Sequence, residues 1–133
     1  MERTLAIIKP DAVRAKNSGK IIDRIEKEGF NIIEMKKIHL SQKQAEDFYA
    51  VHKGRPFFEE LVTFMTSGPV VVIALEKENA IKAWRDLMGD TDPAKATENS
   101  IRKLYGTNKG QNATHGSDAP QTASAEIKFF FNI

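Results

Sequence analysis

The sequence contains no cysteine, which excludes a disulfide framework, a thiolate nucleophile and a cysteine zinc site, and leaves any metal chemistry to oxygen or imidazole. Long hydrophobic runs are missing as well. No apolar stretch approaches the roughly 18 residues of a membrane span, and Leu5-Ala6-Ile7-Ile8 is too short for a secretory core. A cytoplasmic protein without a membrane partner is the expectation. Charge of one sign is not in excess either, since 20 Lys and Arg face 18 Asp and Glu with no basic block. Nothing therefore marks a specific nucleic-acid surface, and an anionic ligand must be held locally. Also absent are a P-loop, a G-x-G-x-x-G turn, a G-x-S-x-G elbow and an H-E-x-x-H helix. Phosphate, if bound, must be held by side chains rather than by a glycine cradle.

What is present suits a folded domain. The chain has 133 residues, 41% hydrophobic and 29% charged, enough for one domain spanning 1–133 with a radius of gyration of about 14 Å. Leu5 to Ile8 and Val70 to Leu75 read as buried strands, and Phe30 to Leu40 as a longer strand whose period-2 pattern slips at a bulge. Ile21, Ile22 and Ile25 mark a helix that Gly29 closes. Ser41 and Gln44 form a capping box ahead of Ala45, Phe48 and Val51. Phe57, Phe58, Leu61, Phe64 and Met65 suit a further helix after Pro56, and Ala80, Ile81, Trp84, Leu87 and Met88 another, stopped by Gly89. Residues 89–112 are a long polar loop, of the kind that usually carries function. A short strand at Thr114-His115 then leads to a terminal helix opened near Pro120, with Ala125, Phe129 and Phe130 as its apolar face. The order predicts an α+β, ferredoxin-like antiparallel sheet, βαββαβ with additional helices, covered by helices on one face.

Three histidines are the candidates for chemistry. His39, near the end of an alternating strand, reads as structural. His52 lies three residues beyond Tyr49, so the two can share a helix face. His115 stands apart, because it sits between a strand stub and Gly116, beside a helix start whose dipole favours anions. By spacing alone Phe57 belongs to a core, Thr91 and Arg102 to a solvated loop, and Glu126 to a helix surface.

The segment Asn112-x-x-His115-Gly116-Ser117-Asp118 resembles the active-site signature of the nucleoside diphosphate kinase family. Further matches follow in order: Ile7-Ile8-Lys9-Pro10-Asp11-Ala12, Phe48-Tyr49 with His52, Pro56-Phe57-Phe58, and Met65-Thr66-Ser67-Gly68-Pro69-Val70. The resemblance implies transfer of a γ-phosphoryl group from a nucleoside triphosphate to a nucleoside diphosphate, ribo or deoxyribo, through a phosphohistidine on His115. Imidazole suits that role, being substantially neutral and nucleophilic near pH 7. By position, Arg85, Thr91, Arg102, Tyr49 and His52 resemble the group around the phosphates, and Lys9 and Asn112 the residues that hold the ribose, with Lys9 also on phosphate. Phe57, with Leu61 a turn later, resembles the platform for the base. Glu126 resembles the carboxylate that orients His115, with Ser117 close by. Magnesium, Mg2+, is expected to arrive on the nucleotide with no direct protein ligand, Asp118 reaching it through water.

Some positions depart from the family pattern. Glu98-Asn99-Ser100 replaces the common Pro-Gly-Thr, Lys103-Leu104-Tyr105-Gly106 replaces Gly-Asp-Phe, and Lys109 stands where an apolar residue often covers the base. The resemblance also implies a homo-oligomer, a tetramer or hexamer built from dimers. Two rivals remain open on the residues alone: a non-enzymatic ferredoxin-like nucleotide-binding or regulatory module, and a hydrolase in which His115 activates water.

Overall fold

Two runs of consecutive apolar residues form the centre of the sheet in the computed structural model, which describes residues 1–133. Strand β1 (Glu2–Ile8) pairs antiparallel with β3 (Val70–Lys77), Ile7 lying opposite Val72. Strand β2 (Asn31–Ile38) pairs with the outer side of β3, and the three-residue β4 (Thr114–Gly116) with that of β1, giving the order β2-β3-β1-β4. The predicted bulge occurs between Ile32 and Glu34. The antiparallel α+β sheet is therefore the expected one.

Its cover differs from the expectation of one helical face, because helices lie on both. Leu5 and Ile7 of β1 and Val70, Val72 and Ala74 of β3 face one core, shared with α3 (Gln42–Phe48), α4 (Phe58–Met65) and α7 (Pro120–Phe131). Ala6, Ile8, Val71, Ile73 and Leu75 face a second core, shared with α1 (Pro10–Arg14), α2 (Ser18–Lys27), α5 (Ala80–Met88) and α6 (Ile101–Tyr105). The cause lies in the strands themselves. Successive side chains alternate between faces, so an uninterrupted apolar run needs cover on both.

Local signals place most helix ends. The capping box of Ser41 and Gln44 is made in both directions. Gly29 and Gly89 follow α2 and α5 with φ of +89° and +86°, a region open to glycine without a Cβ clash. Three expectations are corrected. Val51 is exposed, because α3 ends and a 3-10 turn over Ala50–His52 redirects the chain. The inner face of α7 is Ala123, Ile127 and Phe130, whereas Phe129 and Ala125 face outward. The loop over 89–112 is not wholly irregular, since Ser100 accepts the backbone N–H of Lys103 and opens α6. His39 is exposed, its Nε2 2.7 Å from the carbonyl of Thr66 at the end of α4. No helix is long and apolar enough to cross a membrane.

Strand β4 is held from behind by α5. The indole N–H of Trp84 donates to the His115 carbonyl at 3.0 Å. Gly116 lies so close to that indole that an added Cβ would stand 2.5 Å from Trp84 Cδ1 and 2.7 Å from Met88 Cε. Gly116→Ala should thus lower stability by about 1–3 kcal/mol through overpacking, read as a fall in the urea midpoint at constant slope. An unchanged midpoint would show that β4 is free to move away from α5.

Candidate active site

Strand alternation aims His115 and its neighbours in opposite directions. His115 lies opposite Ile7 in the ladder, so its ring rises on the same face as Ile7, towards α3 and α7. There its Nε2 lies 3.0 Å from Oε1 of Glu126. Ser117 donates its hydroxyl to the same oxygen at 2.7 Å and accepts the backbone N–H of Leu5 at 3.2 Å. A carboxylate only accepts, so this contact places the ring proton on Nε2 and leaves the Nδ1 lone pair free. The ring of Phe48 meets the imidazole edge to face, with centroids 5.5 Å apart. His115 is thereby fixed at its carbonyl, at Nε2 and along one side, while Nδ1 takes part in no hydrogen bond.

A cationic group collects where β1 ends and β4 begins. Lys9 is buried, and its Nζ donates to the Asn112 side-chain oxygen at 2.8 Å. The Asn112 amide in turn donates to the Thr91 carbonyl at 3.0 Å. Arg102 donates to the carbonyls of Gly89 and Thr114 at 3.1 and 3.0 Å. With Arg85, Thr91, Met88, Gly89 and Asp90, it lines a concavity. Burial and the charge of Arg102 bring the Lys9 amine down to about 8, partly offset by Asp11. Burial and Arg85 bring the Arg102 guanidinium down to about 10, partly offset by Asp90. None of Lys9, Arg85 or Arg102 takes part in an ion pair. Two cations stripped of water, Lys9 and Arg102, with the exposed Arg85 beside them and no carboxylate paired to any of the three, form a site for an anion.

An aromatic row borders the site. Tyr49 closes α3 with its hydroxyl buried and without a hydrogen-bond partner. Burial, then the charge of Glu126, pushes that phenol upward, so Tyr49 remains a neutral donor. Its ring stacks on His52 at 6.4 Å, and His52 meets Phe57 at 5.3 Å. The Tyr49 and His52 rings come together as the spacing suggested, although on the 3-10 turn of Ala50–His52, where side chains three apart eclipse, rather than on an α-helix face. Phe57 is 47% exposed instead of packed in the core, leaving an aromatic face open to a ligand. Leu61 is half-buried against the core a turn further along α4.

Asp118 is exposed and has no hydrogen bond to the other candidates. No group of three or more His, Cys, Asp or Glu is assembled that could hold a metal ion. The site donors are cationic or neutral, a set that fits phosphate oxygens and suits a metal ion arriving on the nucleotide. A larger cavity of about 550 Å³, between α3 and α4, contains none of these candidates.

Sequence reasoning overlooked three contacts. Trp84 and Phe48 read as core by their spacing, and their contacts with His115 leave no periodic signal. Asp11, whose Oδ2 accepts the backbone N–H of Ala113 at 3.1 Å, could have been suspected only from its place beside Lys9.

Comparison with known proteins identifies the family. The family model for nucleoside diphosphate kinase matches residues 2–133. The nucleoside diphosphate kinase of Geotalea daltonii is 60% identical over 132 residues, covering 99% of this chain and 96% of that protein. That of Trichlorobacter lovleyi is 61% identical with the same coverage. Among solved structures, the Aquifex aeolicus nucleoside diphosphate kinase superposes with a TM-score of 0.96 at 51% identity, over 98% of this chain and 94% of that one. A halophilic nucleoside diphosphate kinase from Halobacterium salinarum, solved in complex with CDP, superposes with a TM-score of 0.95 at 38% identity, over 99% and 88% of the two chains. With its whole length matched in sequence and in fold, the chain belongs to the nucleoside diphosphate kinase family.

Proposed function

We propose that the protein moves the γ-phosphoryl group of a nucleoside triphosphate to a nucleoside diphosphate by way of Nδ1 of His115. The observation that carries this reading is the asymmetry of the imidazole, with Nε2 bound to Glu126 at 3.0 Å and Nδ1 left unbonded. In the first half-reaction the Nδ1 lone pair attacks the γ-phosphorus, the bond to the β–γ bridging oxygen breaks, and the diphosphate leaves with that electron pair. The ring becomes cationic, and the Glu126 carboxylate at Nε2 stabilises it. A second diphosphate reverses the step through its terminal oxygen, so the reaction runs in both directions.

The other residues bind and orient in this reading. Arg85, Arg102 and Lys9 neutralise the phosphates, and the buried Tyr49 hydroxyl finds its missing partner on the transferring group. Thr91 and His52 complete that shell. Lys9 and Asn112 meet the ribose hydroxyls, while Phe57, flanked by Leu61, stacks on the base. Stacking reads bases weakly, because every base offers a π-face; both ribo- and deoxyribonucleotides of several bases fit. Mg2+ comes with the nucleotide and screens its phosphate charge, with Asp118 the carboxylate within reach through water. We also propose a cytoplasmic homo-oligomer, a tetramer or hexamer of dimers. The free outer edge of β2 supports this, since an unpaired edge invites pairing.

Three outcomes test the reading. Incubation with γ-labelled ATP and magnesium, without acceptor, should leave an acid-labile label on the wild-type chain and none on His115→Ala, which stays folded. Release of inorganic phosphate instead would indicate a hydrolase, and neither product a binding module. Glu126→Gln should slow phosphorylation in stopped flow by about ten- to a hundredfold, or roughly 1.4–2.7 kcal/mol, with nucleotide affinity little changed. An unaltered rate would make Glu126 an ordinary helix-surface acid. Phosphate binds the ammonium form of Lys9, and burial brings that amine to about 8. Affinity for a nucleoside diphosphate should therefore fall as pH rises through about 8. Calorimetry that gave a flat profile from about pH 7 to 9.5 would remove Lys9 from the phosphate site.

A further inference from the structure

Lys9 occupies a place where an ammonium is hard to keep. It is 8% exposed, its Nζ donates only to the neutral oxygen of Asn112, and it faces Arg102. An amine stripped of water beside a like charge tends to lose its proton unless a negative group stands near. Two residues further on, in the first turn of α1, Asp11 supplies such a group.

The same carboxylate performs a second task. Its Oδ2 accepts the Ala113 N–H at 3.1 Å, while Oδ1 is buried and without a hydrogen-bond partner. Ala113 has φ of +75°, a left-handed conformation that an alanine keeps only when its surroundings impose it. Its carbonyl accepts the Lys9 backbone N–H at 2.8 Å. Lys9 and Asp11 thus stitch down the segment 112–114 by the Lys9 N–H, the Lys9 Nζ and the Asp11 carboxylate. That segment contributes Asn112 to the site and leads directly into His115.

We infer that Asp11 is a positioning residue for the nucleotide site, its carboxylate both pinning the left-handed turn at Ala113 and supplying the negative charge that faces Lys9. The inference rests on the proposed assignment of Lys9 to the phosphates. The groups acting on the Lys9 amine fit it: burial and Arg102 of α6 push it down, and Asp11 of α1 pushes it back up. A half-satisfied buried carboxylate is costly and calls for an explanation. Its two tasks provide one.

Two variants separate the tasks. Asp11→Asn keeps an oxygen for the Ala113 N–H but removes the charge, whereas Asp11→Ala removes both. In Asp11→Asn the Lys9 titration, followed by NMR of side-chain-labelled lysine in the nucleotide-free protein, should shift about one pH unit lower. KM for the diphosphate should rise severalfold at pH 8 yet stay near wild type at pH 6.5, with kcat within about twofold throughout. In Asp11→Ala kcat should fall as well, by about tenfold, as the turn ahead of His115 relaxes. An unmoved Lys9 titration in Asp11→Asn overturns the inference, as does an Asp11→Ala protein that is folded and retains wild-type kcat. A moved titration with KM unchanged at every pH upholds the coupling of Asp11 to Lys9 and instead overturns the assignment of Lys9 to phosphate.

Discussion

One oxygen of Glu126 accepts from both the His115 ring and the Ser117 hydroxyl, and the proposed reactive geometry depends on that shared acceptor. It decides which imidazole nitrogen is free, and it ties α7 to the end of β4. The two partners lie on either side of Gly116 in sequence. The chain between them must leave its extended course without lifting β4 from β1. Ser117 does this by taking two roles, bonding forward to Glu126 and back to the Leu5 backbone. Trp84 holds the opposite face through the His115 carbonyl. A three-residue strand is weak alone; here every residue of it is held from outside the ladder or packed against α5.

The cationic group follows the opposite logic. Where His115 has all but one of its polar groups satisfied, Lys9, Arg85 and Arg102 are gathered without ion pairs, and burial and mutual repulsion pull Lys9 and Arg102 downward. The protein accepts that cost because neutral partners, the Asn112 oxygen and the carbonyls of Gly89 and Thr114, orient the charges without cancelling them. In the proposed reading an arriving phosphate meets a field already aligned and loses little to reorganisation.

Much of the fold was legible because it rests on local rules. The apolar runs of β1 and β3, the slip in β2, the box at Ser41 and the stop at Gly29 each encode their own geometry. The double cover of the sheet was also present in those runs, since both alternating sets are apolar, although the order of elements suggested one face. The turn at Ala50–His52 depends on how chain ends pack, which periodicity does not carry, whereas the inner face of α7 at Ala123, Ile127 and Phe130 keeps helical spacing and was obscured by the neighbouring apolar Ala125 and Phe129. The site was less legible from its residues. Glu126 lies eleven positions beyond His115, a separation that says nothing about contact, and Trp84 and Phe48 differ from ordinary core residues only in what they touch. The resemblance to a known family, not spacing, singled out the polar candidates; the structure adds which nitrogen, carbonyl and hydroxyl face one another.

The central claim is that Glu126 leaves Nδ1, not Nε2, as the nucleophile. Phosphorus NMR of the chain phosphorylated by magnesium ATP, kept folded and then denatured at alkaline pH, distinguishes the two phosphohistidine isomers by shift and by lifetime. The account predicts a single signal from phosphate on Nδ1 of His115; phosphate on Nε2, or on any other residue, would contradict it.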